Sequence, residues 1–280
     1  MARFRTVETY PQTGFPDRMW GGHPQQPGDP ATDAFLRAAR PVVALYTEAL
    51  EQVHVDGPRS SLWISVTAGL DPTDVRLTLW KQEPDDGPER AFVTLPSSIQ
   101  EMDAAGRAAL ALEVVHAGVR ALAGVRGWDP DAFDGCHEHV VKHDFVYSWA
   151  GPWKTSPDRR HQARATYRMA DPDGFGRVCL ELRRRGEQQT LAVTPPALSG
   201  CTTKGLRSSA ATLRWSDAAD VALIPLMGHG PKVQGMLMAS IEHTGEVVFD
   251  VRDDVTTRTP EVETPMGVDV PVPTVVVSLG

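Results

Sequence analysis

Two histidines spaced four residues apart in this sequence could bind a metal ion. His139 and His143 follow Cys136 in a short segment rich in titratable groups, and on a helix both imidazoles would share one face. Glu113 and His116, spaced for one face of an earlier helix, could add a third ligand and leave one position open. A metal-bound water at such a site would suit hydrolysis. The competing interpretation is an ordinary solvated helix face.

A cluster of arginines is the second feature of the sequence that could bind a partner or substrate. Residues 152–185 carry nine basic side chains and four acids, in a chain whose net charge is −8. Guanidinium groups and aromatic rings are enriched at the energetic centres of protein interfaces. We therefore predict a non-enzymatic recognition protein with an Arg-rich β-hairpin and aromatic anchors. The predicted partner-binding residues are Trp153, Arg159, Arg160, Arg164, Arg168, Arg183, Arg184 and Arg185.

Other interpretations of the basic segment remain open at this stage. Residues 242–269 carry eight acids and two arginines, so this tail could neutralise the hairpin within the same chain. The arginines could instead serve a nuclease or another phosphate-handling enzyme, with His161 as general acid or base. A protein partner is favoured over nucleic acid because the chain as a whole is acidic, with a pI near 5.6. Whether the chain is an enzyme stays undecided.

Recognisable catalytic and cofactor motifs are not found. The sequence has no phosphate-binding Gly-x-x-x-x-Gly-Lys-Ser/Thr loop and no Gly-x-Ser-x-Gly elbow, so no cofactor is predicted beyond the possible divalent metal. Three scattered cysteines do not form a disulfide framework and are typical of a reducing compartment. The N-terminal residues lack the apolar run of a signal peptide, and no uninterrupted apolar stretch suggests a membrane span. These observations predict a soluble cytoplasmic protein.

The elements that must position these residues are predicted from periodicity. Helical spacing of apolar residues covers 33–55, with a kink or break expected near Arg40 because Pro41 follows. Three strands at 62–67, 75–80 and 91–95 are expected to form an antiparallel meander. A helix should follow from a capping box at Ser98 and Glu101 and end at Gly127, and a second should run from Asp129 to about His143.

The remainder of the sequence has the character of short strands. Residues 162–185 predict a hairpin around the turn sequence Asp171-Pro172-Asp173-Gly174, and further strands are expected up to an extended, edge-like C-terminal segment. Segregated helices and strands predict an α+β fold, in which the β-rich part is mostly antiparallel. The predicted organisation is a Pro/Gly-rich extended arm (1–32), an α+β module (33–150) and a β-rich module (151–280).

Overall fold

The protein forms two compact units that the chain connects more than once. The computed structural model describes residues 2–12, 29–69, 74–80, 87–170, 176–200, 202–225, 236–252 and 272–280. The first unit contains the described residues up to Tyr147 together with 272–280, and the second contains Ser148–Met169 and the described residues of 176–252. The last strand therefore belongs to the first unit, although the sequence placed it in the C-terminal module. Helices and strands of both units confirm the predicted α+β class.

The strands and helices are numbered in chain order. The strands are β1 (Ala2–Arg3), β2 (Thr6–Pro11), β3 (Asp56–Gly57), β4 (Ser61–Ala68), β5 (Val75–Trp80), β6 (Glu89–Leu95), β7 (Tyr147–Ala150), β8 (Lys154–Thr155), β9 (His161–Met169), β10 (Gly176–Arg184), β11 (Thr190–Val193), β12 (Ala197–Ser199), β13 (Arg214–Trp215), β14 (Asp220–Leu223), β15 (Met236–Ile241), β16 (Val247–Arg252) and β17 (Val275–Leu279). The helices are α1 (Pro30–Leu50), α2 (Ala104–Arg126), α3 (Asp134–Lys142) and α4 (Thr203–Ala211). Short 3-10 turns at Ser97–Glu101 and Pro130–Phe133 precede α2 and α3.

The first unit is built on a five-stranded mixed sheet in the order β17-β5-β6-β4-β2. The three predicted central strands are present, but the predicted antiparallel meander is wrong. β6 lies between β5 and β4, antiparallel to the former and parallel to the latter. Period-two alternation defines which face of a strand is buried, but it carries no information about the direction of the neighbouring strand.

A parallel crossover accounts for the N-terminal edge of this sheet. β2 pairs in parallel with β4, and α1 connects them, which is the usual way to join parallel strands. Part of the predicted arm is therefore a strand of the sheet. Tyr10 on β2 packs against Trp63 of β4, with ring centroids 5.0 Å apart. Phe15 and Trp20, two further aromatic residues of the arm, lie outside the described residues.

Three helices cover this sheet and one another. α1 begins after Asp29, whose carboxylate accepts a hydrogen bond from the Thr32 backbone N–H, and it continues unbroken through Pro41. α2 begins after Asp103, which replaces the capping box expected at Ser98, and ends at Gly127 with φ of 71°, as predicted. α3, with the 3-10 turn before it, matches the second predicted helix. Buried residues of α1, β4, β5 and α2 form the core.

α2 is the most apolar helix in the described part of the chain. It is long and apolar enough to cross a membrane by length and composition, and 56% of its most apolar window is buried inside the fold. Leu110, Val114 and Leu122 are almost completely inaccessible to solvent. This burial is typical of the central helix of a globular core.

The second unit is the β-rich part of the protein. In it β10 pairs antiparallel with β9, β11 and β12, β8 with β9, and the strands from β13 to β16 with their neighbours. One sheet contains β11-β10-β9-β7, with β12 against β10 and β8 against β9. A four-stranded sheet follows in the order β13-β14-β15-β16. The mostly antiparallel character predicted for this region is confirmed. α4, which the sequence did not predict, begins at Thr202 through a side-chain cap on the Gly205 N–H.

Candidate recognition surface

The predicted hairpin is formed by β9 and β10, which pair over their whole length. Its register places Arg177 opposite Arg168, Glu181 opposite Arg164 and Arg184 opposite His161. One face of the ribbon is buried, through residues such as Ala165, Tyr167 and Leu180. The other face carries the arginines, in the alternation expected for a half-buried sheet.

Trp153 is the aromatic anchor of this basic face. The Arg183 guanidinium carbon lies 3.9 Å from the centroid of the indole ring and that of Arg164 lies 4.4 Å away. The Arg183 Nε also donates a hydrogen bond to the Gln162 side-chain oxygen at 3.0 Å. Stacking on an aromatic face holds a guanidinium group in one orientation while leaving its edge available for hydrogen bonds. Trp153 and Gln162 together therefore hold the Arg183 guanidinium group in one orientation.

One arginine of the face is neutralised within the chain. The Arg164 Nε donates to a carboxylate oxygen of Glu181 at 2.6 Å, and the Thr190 hydroxyl donates to the other oxygen at 2.7 Å. Burial alone would raise the pKa of Glu181, but these hydrogen bonds outweigh it and hold the pKa below its ordinary value. Arg164 therefore serves to stabilise the ribbon and is removed from the set of free cationic groups.

The open end of the ribbon brings two arginine dipeptides together. The Arg160 carbonyl accepts a backbone hydrogen bond from the Arg185 N–H at 2.8 Å, so the dipeptides Arg159-Arg160 and Arg184-Arg185 meet although 24 positions separate Arg160 from Arg184 in the numbering. All four of these side chains are exposed. We call these four residues the arginine end.

Within the described residues, two carboxylates pair with side chains of the arginine end, and both contacts are long. Asp158 lies 3.8 Å from Arg160, and Glu187 lies 3.9 Å from Arg184. Exposed ion pairs of this kind contribute little to the free energy of unfolding. The Asp158 carboxylate is already engaged by the Ser156 hydroxyl and the Arg160 backbone N–H, which hold its pKa below the ordinary value. Within the described residues, Arg159 and Arg185 form no ion pair. Most of the acidic tail proposed to neutralise the ribbon lies outside those residues.

Arg168 is the predicted residue that the register separates from this cluster. It lies near the opposite, turn-proximal end of the ribbon and is exposed. The described structure thus brings seven of the eight predicted residues towards one half of the ribbon, including the neutralised Arg164. Gln162, Glu181 and Thr190 also belong to this surface, but the sequence did not predict them. The cross-strand register could have indicated Glu181, because it faces Arg164 at equal distance from the centre of the predicted turn.

The four predicted metal ligands, which lie on α2, α3 and the residue that ends α3, divide into separate groups. His139 and His143 stack on each other with ring centroids 4.2 Å apart, and the Nδ1 of His143 lies 2.8 Å from the His139 carbonyl oxygen. Glu113 instead contacts His137, at 3.0 Å from its Nε2. No three His, Cys, Asp or Glu side chains converge as a metal site in the part of the chain that the structure describes. The arrangement does not support the predicted metal set.

His116 belongs to a partly buried polar network that connects the three helices of the first unit. Its Nδ1 lies 2.9 Å from the Tyr46 hydroxyl and its Nε2 lies 3.4 Å from Asp134, which also pairs with Arg120. Burial raises the pKa of Tyr46 far above its ordinary value, and burial together with neighbouring His137 lowers the pKa of His116. A fully buried tyrosine with this pKa is a poor proton donor, so the network is best explained by helix packing.

Comparison with known proteins adds no assignment to this surface. Neither a protein family, nor a curated protein, nor a solved structure matched this chain.

Proposed function

We propose that this protein is a non-enzymatic recognition protein that binds an acidic protein partner through the arginine end. The observation that supports this most directly is the convergence of Arg159-Arg160 with Arg184-Arg185 at the open end of one antiparallel ribbon. The backbone hydrogen bond from Arg185 to Arg160, next to the last residue pair of the ladder, holds the two segments that carry these cations together. Carboxylates of a partner would pair with these guanidinium groups by charge-assisted, bidentate hydrogen bonds.

Electrostatics favours a protein over nucleic acid as the partner. The basic patch is local, and the chain carries a net charge of −8, which repels an extended polyphosphate outside the patch. Trp153 already carries two guanidinium groups on its ring and is not a free platform for stacking a base. A compact acidic surface therefore fits the ribbon better than a long nucleic-acid strand does.

A reducing compartment fits the same proposal. Cys136 and Cys179 are both free thiols in the described structure, and burial raises the pKa of the Cys136 thiol to about 12. A thiol with this pKa is almost wholly protonated near neutral pH and reacts slowly. Three scattered cysteines without a disulfide framework are typical of a reducing compartment, so we place the protein in the cytoplasm.

Binding to a defined acidic polypeptide tests the proposal. We would measure fluorescence anisotropy of labelled poly-glutamate, and of a single-stranded oligonucleotide with the same number of charges, over a range of salt concentrations. The wild-type protein is expected to bind poly-glutamate more tightly than the oligonucleotide. The fourfold variant R159E/R160E/R184E/R185E is expected to lose that binding, by roughly tenfold or more in Kd.

A matched pair of double variants separates the ribbon from general charge. Arg207 and Arg214 are exposed arginines of the same unit outside the ribbon. The R207E/R214E variant should bind poly-glutamate nearly as the wild type does, whereas R184E/R185E, with the same change in net charge, should bind it clearly more weakly. Equal losses in the two double variants would place binding elsewhere. Tighter binding of the oligonucleotide, lost in the fourfold variant, would replace the protein partner by nucleic acid.

A further inference from the structure

The C-terminal strand β17 forms one end of the five-stranded sheet among the described strands, and its composition is unusual for such a position. Val275–Leu279 contains three valines, a serine and a leucine, with no charged residue and no proline. Val276, Val277 and Leu279 are 50%, 42% and 68% exposed. Sheet edges are normally protected by charges, prolines or bulges, because an open edge pairs readily with another strand. None of these devices occurs within β17.

The hydrogen bonds to β5 show which backbone groups of β17 remain available. The Val75 N–H donates to the Thr274 carbonyl, the Gly280 N–H donates to the Leu79 carbonyl, and the parallel register between these bonds is unshifted. In a parallel ladder every second residue bonds to the neighbouring strand on one side. The even-numbered residues of β17 therefore bond to β5, and Val275, Val277 and Leu279 direct their N–H and C=O groups away from the sheet.

These outward groups define a self-complementary register, from which we infer that β17 pairs antiparallel with β17 of a second copy of this chain. With Val277 opposite Val277 of the copy, Val275 lies opposite Leu279 and Leu279 opposite Val275. All three outward-facing residues of each strand then meet outward-facing residues, as an antiparallel hydrogen-bonded pair requires. The two-fold axis passes between the two Val277 residues, so the interface is isologous and closes as a dimer.

The side chains of the first unit are consistent with a second copy of β17 as the pairing strand. Opposing residues of a sheet share a face, so Val277 and Leu279 follow Leu77 and Leu79 onto the face covered by α2. There an open groove of about 350 Å³ is lined by Leu79, Trp80, Glu89, Leu122, Val125, Arg126 and Leu279. Pairing with a copy would cover the exposed Val277 on both strands. No charge on β17 opposes a like charge of the copy.

Charge substitution at the two-fold position provides the sharpest test. The V277K variant places a lysine opposite itself, and V277E does the same with a glutamate. Full-length wild-type protein is expected to be a dimer by sedimentation velocity and light scattering. Each variant alone should dissociate, with the dimer Kd raised roughly tenfold or more. An equal mixture of V277K and V277E should restore a dimer, because the introduced lysine of one chain then lies opposite the introduced glutamate of the other.

The neighbouring residue supplies the control. Val276 is similarly exposed, but in the inferred register it lies opposite Ser278 of the copy and not opposite itself. V276K is therefore expected to remain dimeric. A wild-type protein that is monomeric at every concentration tested would overturn the inference. So would a V277K dimer as stable as the wild type, or an equal mixture of V277K and V277E that stays monomeric.

Discussion

Arg159 combines a strained backbone with an exposed side chain. It occupies the left-handed region, with φ of 61°, in the turn that joins β8 to β9. A non-glycine residue in this region costs on the order of 1 kcal/mol, which glycine avoids. The R159G variant is therefore expected to be more stable by about 0.5–1 kcal/mol in urea denaturation. R160G, at a residue without positive φ, should be less stable than the wild type. A destabilised R159G would contradict this account.

The contacts of single side chains were only partly predictable from the sequence. Alternation identified Arg164 and Arg168 as members of one exposed face, because strand periodicity depends on local sequence alone. It did not indicate that Glu181 neutralises Arg164, since that contact depends on the register between two strands. The same limit applies to the metal hypothesis. The spacing correctly placed His139 beside His143, but whether His116 joined them depended on how α2 and α3 pack.

Two glycines near the end of α2 allow a prediction about this element. Gly124 is helical and exposed, and a methyl group added there would meet nothing within 4 Å. G124A should therefore stabilise the first unit by about 0.5–1 kcal/mol, through helix propensity. Gly127 also has open space, but its φ of 71° is strained for any other residue. G127A should destabilise by about 1 kcal/mol. Thermal unfolding of both variants checks this, and equal shifts would refute it.

The order of the strands within each sheet was harder to predict from the sequence than whether a segment forms a helix or a strand. The β9–β10 ribbon was predictable because its two strands lie at equal distances from one strong turn sequence. The sheet of the first unit was not, because β4 and β6 are parallel neighbours although β5 lies between them in the chain. Pairing of β17 with β5 joins residues about 200 positions apart, and no local pattern contains that contact. α4 was missed because its glycine and serines are weak helix formers.

For the whole molecule, charge distribution was the informative sequence property. The contrast between a basic segment and an acidic chain pointed to the ribbon before its geometry was known. Geometry then reduced eight candidate residues to a smaller set, by pairing Arg164 with Glu181 and separating Arg168. It also showed that His116 serves packing within the first unit. The stability of the protein at low pH should therefore depend on how His116 is packed.

We expect the protein to lose stability as the pH falls below the ordinary histidine pKa of 6.5, in part through His116. Burial, followed by His137, lowers the pKa of His116 in the folded state, while Asp134 and Glu113 oppose this and Arg120 adds to it. Below pH 6.5 the unfolded chain therefore binds a proton that the folded protein resists. The free energy of unfolding should fall by at most about 1.4 kcal/mol per pH unit for this one proton, until the folded pKa is reached.

The H116Q variant isolates this contribution. Glutamine can still hydrogen-bond to Tyr46 and Asp134, but it does not titrate, so the stability of the variant should depend less on pH. Urea denaturation at intervals between about pH 5 and pH 7.5 measures the difference, and the free energy of unfolding should fall more steeply towards low pH in the wild type than in the variant. His139, whose pKa burial and His143 also lower, should leave a residual slope in the variant. Parallel curves would show that His116 is protonated equally in the folded and unfolded states.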